Sequence, residues 1–119
     1  MSNHIFWVLD LDIKEGRLGD FRSLMGEMVE ATQANEPGCL NYEWFISDDE
    51  TKCSLYERYA DSDALMTHMG NFGAHFADRF MACVDIKKFV VYGDPSEMAR
   101  EALSTLGVVI MNPFGGYFR

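Results

Sequence analysis

The sequence predicts an α+β fold of the ferredoxin-like type. Strands and helices follow the order β-α-β-β-α-β, giving a four-stranded antiparallel sheet with helices on one face and a C-terminal helix and strand as an extension. Three observations carry this. The apolar period switches from two to three-and-four and back along the chain. Turn-forming clusters fall between those blocks, at Lys14-Glu15-Gly16, Glu36-Pro37-Gly38 and Asp48-Asp49-Glu50. With 119 residues, 48% of them apolar, the chain suits one domain with a true core.

The segment from His4 to Ile13 alternates. Ile5, Trp7, Leu9, Leu11 and Ile13 share one parity, while Phe6 and Val8 make the other parity partly apolar before Asp10 and Asp12 close it. This is a strand buried on one face and partly on both. From Leu18 the step changes: Leu18, Phe21, Leu24, Met25, Met28, Val29 and Thr32 form one stripe of an amphipathic helix, with Met25 and Met28 read as core. Pro37 and Gly38 stop it. Cys39 to Ser47 and Lys52 to Tyr59 alternate on either side of a short acidic loop, which is the pattern of an antiparallel hairpin.

Asp61 is placed to cap the next helix, in which Leu65, Met69, Phe72, Phe76 and Phe80 step by four. Gly70 and Gly73 weaken that line, so one helix and two short ones are both compatible with it. Cys83 to Tyr92 supplies the fourth strand. Asp94-Pro95-Ser96-Glu97 predicts a helix start with Asp94 at the N-cap and Pro95 in the first turn, then Met98, Ala102, Leu103 and Leu106 facing inward and Gly107 closing the end. Val108 to Met111 reads as a fifth strand, and an aromatic, glycine-rich tail follows. Residues 1–93 thus form the core fold, and residues 94–119 extend the same domain. The two-sided apolar character of the first strand predicts a second copy against the sheet, hence a homodimer.

Composition narrows function. Nineteen acidic residues against ten basic ones give a net charge of −9, which disfavours nucleic acid and anionic membranes as partners. No apolar run is long enough to span a bilayer. Met1-Ser2-Asn3-His4 does not begin a signal peptide, and three widely spaced cysteines, Cys39, Cys53 and Cys83, read as reduced thiols of a cytoplasmic protein. No spacing of ligands suggests a metal site, and no phosphate-binding or nucleophile-elbow motif is present.

Three segments, taken together, carry a resemblance. Glu36-Pro37-Gly38-Cys39-Leu40-Asn41-Tyr42-Glu43 resembles the E-P-G-C-x-x-Y-E signature of antibiotic-biosynthesis-monooxygenase-like proteins. Leu55-Tyr56-Glu57-Arg58-Tyr59-Ala60-Asp61 resembles their L-Y-E-x-[WY]-x-[DS] strand end, and Ala64-Leu65, His68 and Asn71 to Phe76 resemble the helix that follows. The similarity spans residues 4 to 93. It implies a dimeric α+β barrel with a pocket between sheet and helices. It also implies a monooxygenase that acts on quinols or polycyclic phenols with O2 and no cofactor. Related members bind and degrade haem, and others have no established reaction, so a haem-binding or haem-degrading protein and a non-catalytic small-molecule-binding dimer on the same fold are the alternatives.

Cofactor-free oxygenation needs a base, a donor for an oxyanion and a dry cavity. His75 is the first candidate for base, or alternatively for haem ligation; its simpler reading is a helix histidine bonded to a backbone carbonyl. Tyr56 and Asn71 complete the catalytic candidates, against readings as sheet packing and a helix C-cap. Trp7, Trp44, His68 and Arg79 are the substrate-binding candidates. Core packing competes for both tryptophans, a bond to the neighbouring strand or plain exposure for His68, and a surface ion pair for Arg79. Arg58 is expected to pair with Glu57 and Glu43 across the hairpin. The aromatic tail fits a pocket lid or, preferably, a strap between subunits.

Overall fold

A computed structural model describes residues 4–119; the first three residues, on which the targeting reading partly rests, lie outside it. Strand β1 (Ile5–Ile13) leads through helix α1 (Leu18–Asn35) to the hairpin β2 (Cys39–Ile46) and β3 (Lys52–Tyr59). Helices α2 (Ser62–His75) and α3 (Ala77–Cys83) follow, then β4 (Val84–Tyr92), α4 (Glu97–Leu103) with a 3-10 turn at Ser104–Leu106, and β5 (Val109–Met111).

The five strands order as β2-β3-β1-β4-β5. β1 lies antiparallel between β3 and β4, and β5 adds in parallel to β4 at the edge, as its helical crossover requires. Between Asp10 and Leu11 the register with β4 shifts, leaving Lys87 of β4 as the extra residue of a bulge. The alternation of β1 decides its two faces. Ile5, Trp7, Leu9 and Leu11 are buried beneath the helices, whereas Phe6 and Val8 are half-buried on the outer face. Phe21, Leu24 and Met28 of α1, Leu65 of α2, Phe80 of α3 and Ala99 and Leu103 of α4 close the core from above.

Local chemistry explains the helix ends. Asp61 caps α2 by accepting the Ala64 N–H at 2.9 Å. The line from Leu65 to Phe80 is divided into two helices, but the break falls at Phe76 and not at Gly70 or Gly73, which α2 carries through. Cys83 ends α3, so β4 begins one residue later than the pattern suggests.

The last helix departs further from expectation. Its cap is Ser96, whose hydroxyl accepts from Ala99 N–H, while its own N–H donates to Ser62 Oγ at 2.8 Å. That bond to α2 sets the entry of the chain, leaving Pro95 buried before the helix and Asp94 to pair with Arg100 at 2.7 Å. The later start rotates the inward face onto Ala99 and Leu103, so Met98 and Leu106 are exposed. Gly107 takes a left-handed φ of 69°, as a helix-terminating glycine does. Among the described residues, no helix is long and apolar enough to cross a membrane.

Candidate functional site

A buried polar cluster sits between the sheet and α2. β3 alternates, placing Cys53, Leu55, Glu57 and Tyr59 on the helix-facing side. Glu57 is therefore a carboxylate in an apolar register, and Tyr59 Oη donates to its Oε1 at 2.6 Å. Glu36 is the C-cap of α1. Its N–H donates to Thr32 O and its carbonyl accepts from Cys39 N–H, which turns its side chain inward at the entry to β2.

His68 lies one turn after buried Leu65 on α2 and reaches both acids. Nδ1 is 2.9 Å from Glu36 Oε1, and Nε2 is 3.1 Å from Glu57 Oε1. Asn71, three residues further along the same face, donates to Glu36 Oε2 at 3.1 Å. Gly38 permits the approach of α2, since a Cβ there would sit 2.6 Å from Ala64 Cβ.

Burial pushes the His68 imidazolium toward deprotonation, and its hydrogen bonds and attraction to Glu36 and Glu57 outweigh that, raising its pKa to about 9. His68 is thus a cation at neutral pH. Burial alone would raise the Glu36 carboxyl, but the His68 and Asn71 bonds bring it below its ordinary range. Burial, reinforced by the Glu57 charge, pushes the Tyr59 and Tyr42 hydroxyls well up. Cys39 is pushed up to about 12 and Cys53 to about 11, chiefly by burial, so both stay thiols.

Rings surround the cluster. Trp7 lies 6.1 Å from the His68 ring, Tyr42 5.3 Å and Tyr59 5.4 Å, and Trp44 stands 5.7 Å beyond Tyr42. Trp7 Nε1, Trp44 Nε1 and Tyr42 Oη are buried without a hydrogen-bond partner; Tyr42 Oη is turned toward Thr32 without completing a bond. Such groups cost about 1–3 kcal/mol each when left unpaired. Two of the three belong to rings that flank His68, those of Trp7 and Tyr42, and the third, on Trp44, lies one ring further out.

The resemblance implies a hollow between sheet and helices. Around His68 that space is occupied by these rings. Open volume lies instead at the β2 edge, where a recess of about 160 Å³ between α1 and β2 reaches Trp44 and Phe21. A polar groove of about 290 Å³ runs between α1 and α3, past Arg79 and Glu27.

Of the candidates named from sequence, the fold brings together His68, Asn71, Trp7 and, through Tyr42, Trp44. His75 is exposed at the end of α2, 6.2 Å from the Phe76 ring. Tyr56 is on the outer sheet face against Phe6, 5.6 Å away. Arg79 makes a two-pronged bond to Glu27 at 2.9 and 3.0 Å on the surface. Arg58 donates to Asn41 Oδ1 at 2.8 Å rather than to Glu57, because strand parity sends the two to opposite faces. Glu36, Glu57, Tyr42 and Tyr59 were not named as site residues. The signal for Glu57 was present in the sequence: an acid in the parity of Leu55 and Tyr59.

Comparison with known proteins agrees with this architecture. The crystal structure of MupZ from Pseudomonas fluorescens superposes with a TM-score of 0.87 at 22% identity, over 99% of this chain and 96% of that one. A conserved protein from Methanosarcina mazei Go1 gives 0.68 at 19% identity, over 76% and 92%. SnoaB from Streptomyces nogalater, a cofactor-independent oxygenase, gives 0.65 at 16% identity, over 82% and 98%. These likenesses establish the shared fold. No curated protein matches the sequence. The family model described as antibiotic biosynthesis monooxygenase matches residues 5–82, about two thirds of the chain. The chain belongs to the antibiotic biosynthesis monooxygenase family.

Proposed function

We propose that this protein is an oxygenase that adds O2-derived oxygen to an electron-rich phenol or quinol, with no bound cofactor. The observation that carries this reading is the buried Glu36–His68–Glu57 cluster beside ring donors that lack protein partners. The chemistry asks that the substrate hydroxyl lose a proton and that the anion be held in a dry place while it passes an electron to O2. Glu57 and Glu36 are the proton acceptors. His68, already protonated, orients both carboxylates, and Asn71 holds Glu36. The indole N–H groups of Trp7 and Trp44 and the Tyr42 hydroxyl receive the substrate oxygen. Substrate reaches the cluster by displacing rings that fill the space in the free protein. Family membership and the likeness to SnoaB support the reaction class.

The working unit is a homodimer paired through the outer sheet face. There Phe6, Val8, Tyr56 and Tyr92 are half-buried in the single chain, with Phe6 stacked on Tyr92 at 4.9 Å. Light scattering at micromolar concentration is expected to give twice the monomer mass.

Oxygen uptake with menadiol and with anthrone tests the reaction. Both substrates should be consumed by the colourless protein, and Glu57→Gln should lower the rate by about a hundredfold, the usual scale of a lost base. His75→Ala should leave it unchanged, because His75 stands outside the cluster. Loss of activity in His75→Ala alone would move the base there. A Soret shift with hemin that His75→Ala removes would assign haem binding instead. No uptake on either substrate would end the oxygenase reading.

A further inference from the structure

We propose that the recess between α1 and β2 binds a monocyclic aromatic acid, its ring against Phe21 and Trp44 and its anionic oxygen on Arg22 in place of Glu50. Its volume, about 160 Å³, matches one six-membered ring, since an apolar cavity of about 150 Å³ is known to hold benzene.

The walls are apolar. Phe21, Met25 and Trp44 line the recess with Phe45 and Ile46, which are 55% and 49% exposed. Such large apolar side chains at an open edge present a surface that gains by being covered.

Arg22 and Glu50 are the only charged residues of the lining, and both are exposed. Arg22 Nη2 donates to Glu50 Oε2 at 2.9 Å. Glu50 also has φ 61°, the only left-handed φ of a non-glycine residue among the described residues. Glycine would adopt that conformation without strain. Glutamate in its place delivers a carboxylate to Arg22. That carboxylate occupies the position a ligand's own would take, so Glu50 acts as a resident counter-ion that an acidic ligand displaces.

This inference concerns binding and stands apart from the oxygenase reading. Fluorine NMR of the full chain at low salt reads it, with 4-fluorobenzoate as the probe and 4-fluorobenzyl alcohol as its neutral counterpart. The acid is expected to bind about two- to fivefold more tightly than the alcohol, the scale of one exposed ion pair. Glu50→Gln should tighten the acid by a similar factor and leave the alcohol unmoved. Glu50→Gly removes both strain and counter-ion, so it should tighten the acid while the melting temperature stays level or rises. Arg22→Gln should abolish the preference for the acid. Ile46→Trp and Met25→Trp, at positions open enough to accept a larger ring, should each weaken both probes by about tenfold. Equal binding of acid and alcohol, no gain in Glu50→Gln, survival of binding in both tryptophan variants, or no binding at all would each overturn the proposal. None of these readouts involves oxygen, so either reading can fail while the other stands.

Discussion

His68 meets Glu36 at 2.9 Å and Glu57 at 3.1 Å, and Arg79 meets Glu27 at 2.9 and 3.0 Å. The two groups share bond lengths and charge types. They differ in surroundings: the side chains of the His68 cluster are 7% exposed or less, whereas Arg79 and Glu27 are more than half exposed. Water screens the surface pair and competes for its hydrogen bonds. In the interior only neighbouring protein groups can satisfy the charges, so removing one member of the cluster leaves the others poorly paired. Distance alone does not tell how much an ion pair matters; the solvent around it does.

The sharpest way to break this comparison is to remove one interior partner. Glu57→Ala strands a buried cation and opens a cavity, and should cost about 3–5 kcal/mol in urea unfolding. A loss no larger than that of an exposed pair would mean that water reaches the cluster.

pH gives the next largest effect. The folded pKa of His68, about 9, lies above its ordinary value of 6.5. Its stabilisation is therefore full below about pH 6.5 and is lost as pH rises through 9. On the order of 3 kcal/mol should disappear between pH 6 and pH 10. His68→Gln should flatten that slope. Glu36, with a lowered pKa, works in the opposite direction, holding stability above its ordinary range and losing it as pH falls through its depressed value. The two shifts describe one shared interaction and are not added.

Gly38→Ala probes the geometry that lets the cluster form. The new Cβ would push on Ala64, so α2 must retreat from the start of β2. A cost of about 1–3 kcal/mol is expected, together with a downward move of the His68 pKa measurable by NMR titration. An unchanged His68 pKa would show that the helix absorbs the added methyl elsewhere.

Arg79→Ala is the smallest effect. Its melting temperature should stay close to wild type, and any difference should vanish in half-molar salt. A salt-insensitive loss would point to packing of Arg79 on the Phe76 ring, 5.8 Å away, as its true role.

Much of the fold was legible in the sequence because it rests on local periodicity. The period of two in residues 5–13 and the period of three and four in residues 18–32 each commit a segment to an element. The errors fell where a distant group intervened. Ser62 captures the Ser96 N–H and shifts the start of α4. Division of the second helical run was one of the two arrangements its pattern allowed, and only the place of the break, at Phe76, was not legible. The candidate site was half legible. His68, Asn71 and Trp7 could be named from type and spacing, while His75 was ranked above them because an exposed and a buried histidine look alike in sequence.

The E-P-G segment shows how the two levels meet. By itself the sequence determined that Glu36-Pro37-Gly38 ends a helix and that Glu57 falls in the buried parity of a strand, since both follow from backbone chemistry within a few residues. Only the tertiary structure decided that these two acids, far apart in the chain, would close on the same imidazole. Strand order and the approach of α2 over Gly38 set that meeting, and the hydrogen bonds and charges of the two acids, outweighing the cost of burial, keep His68 a cation.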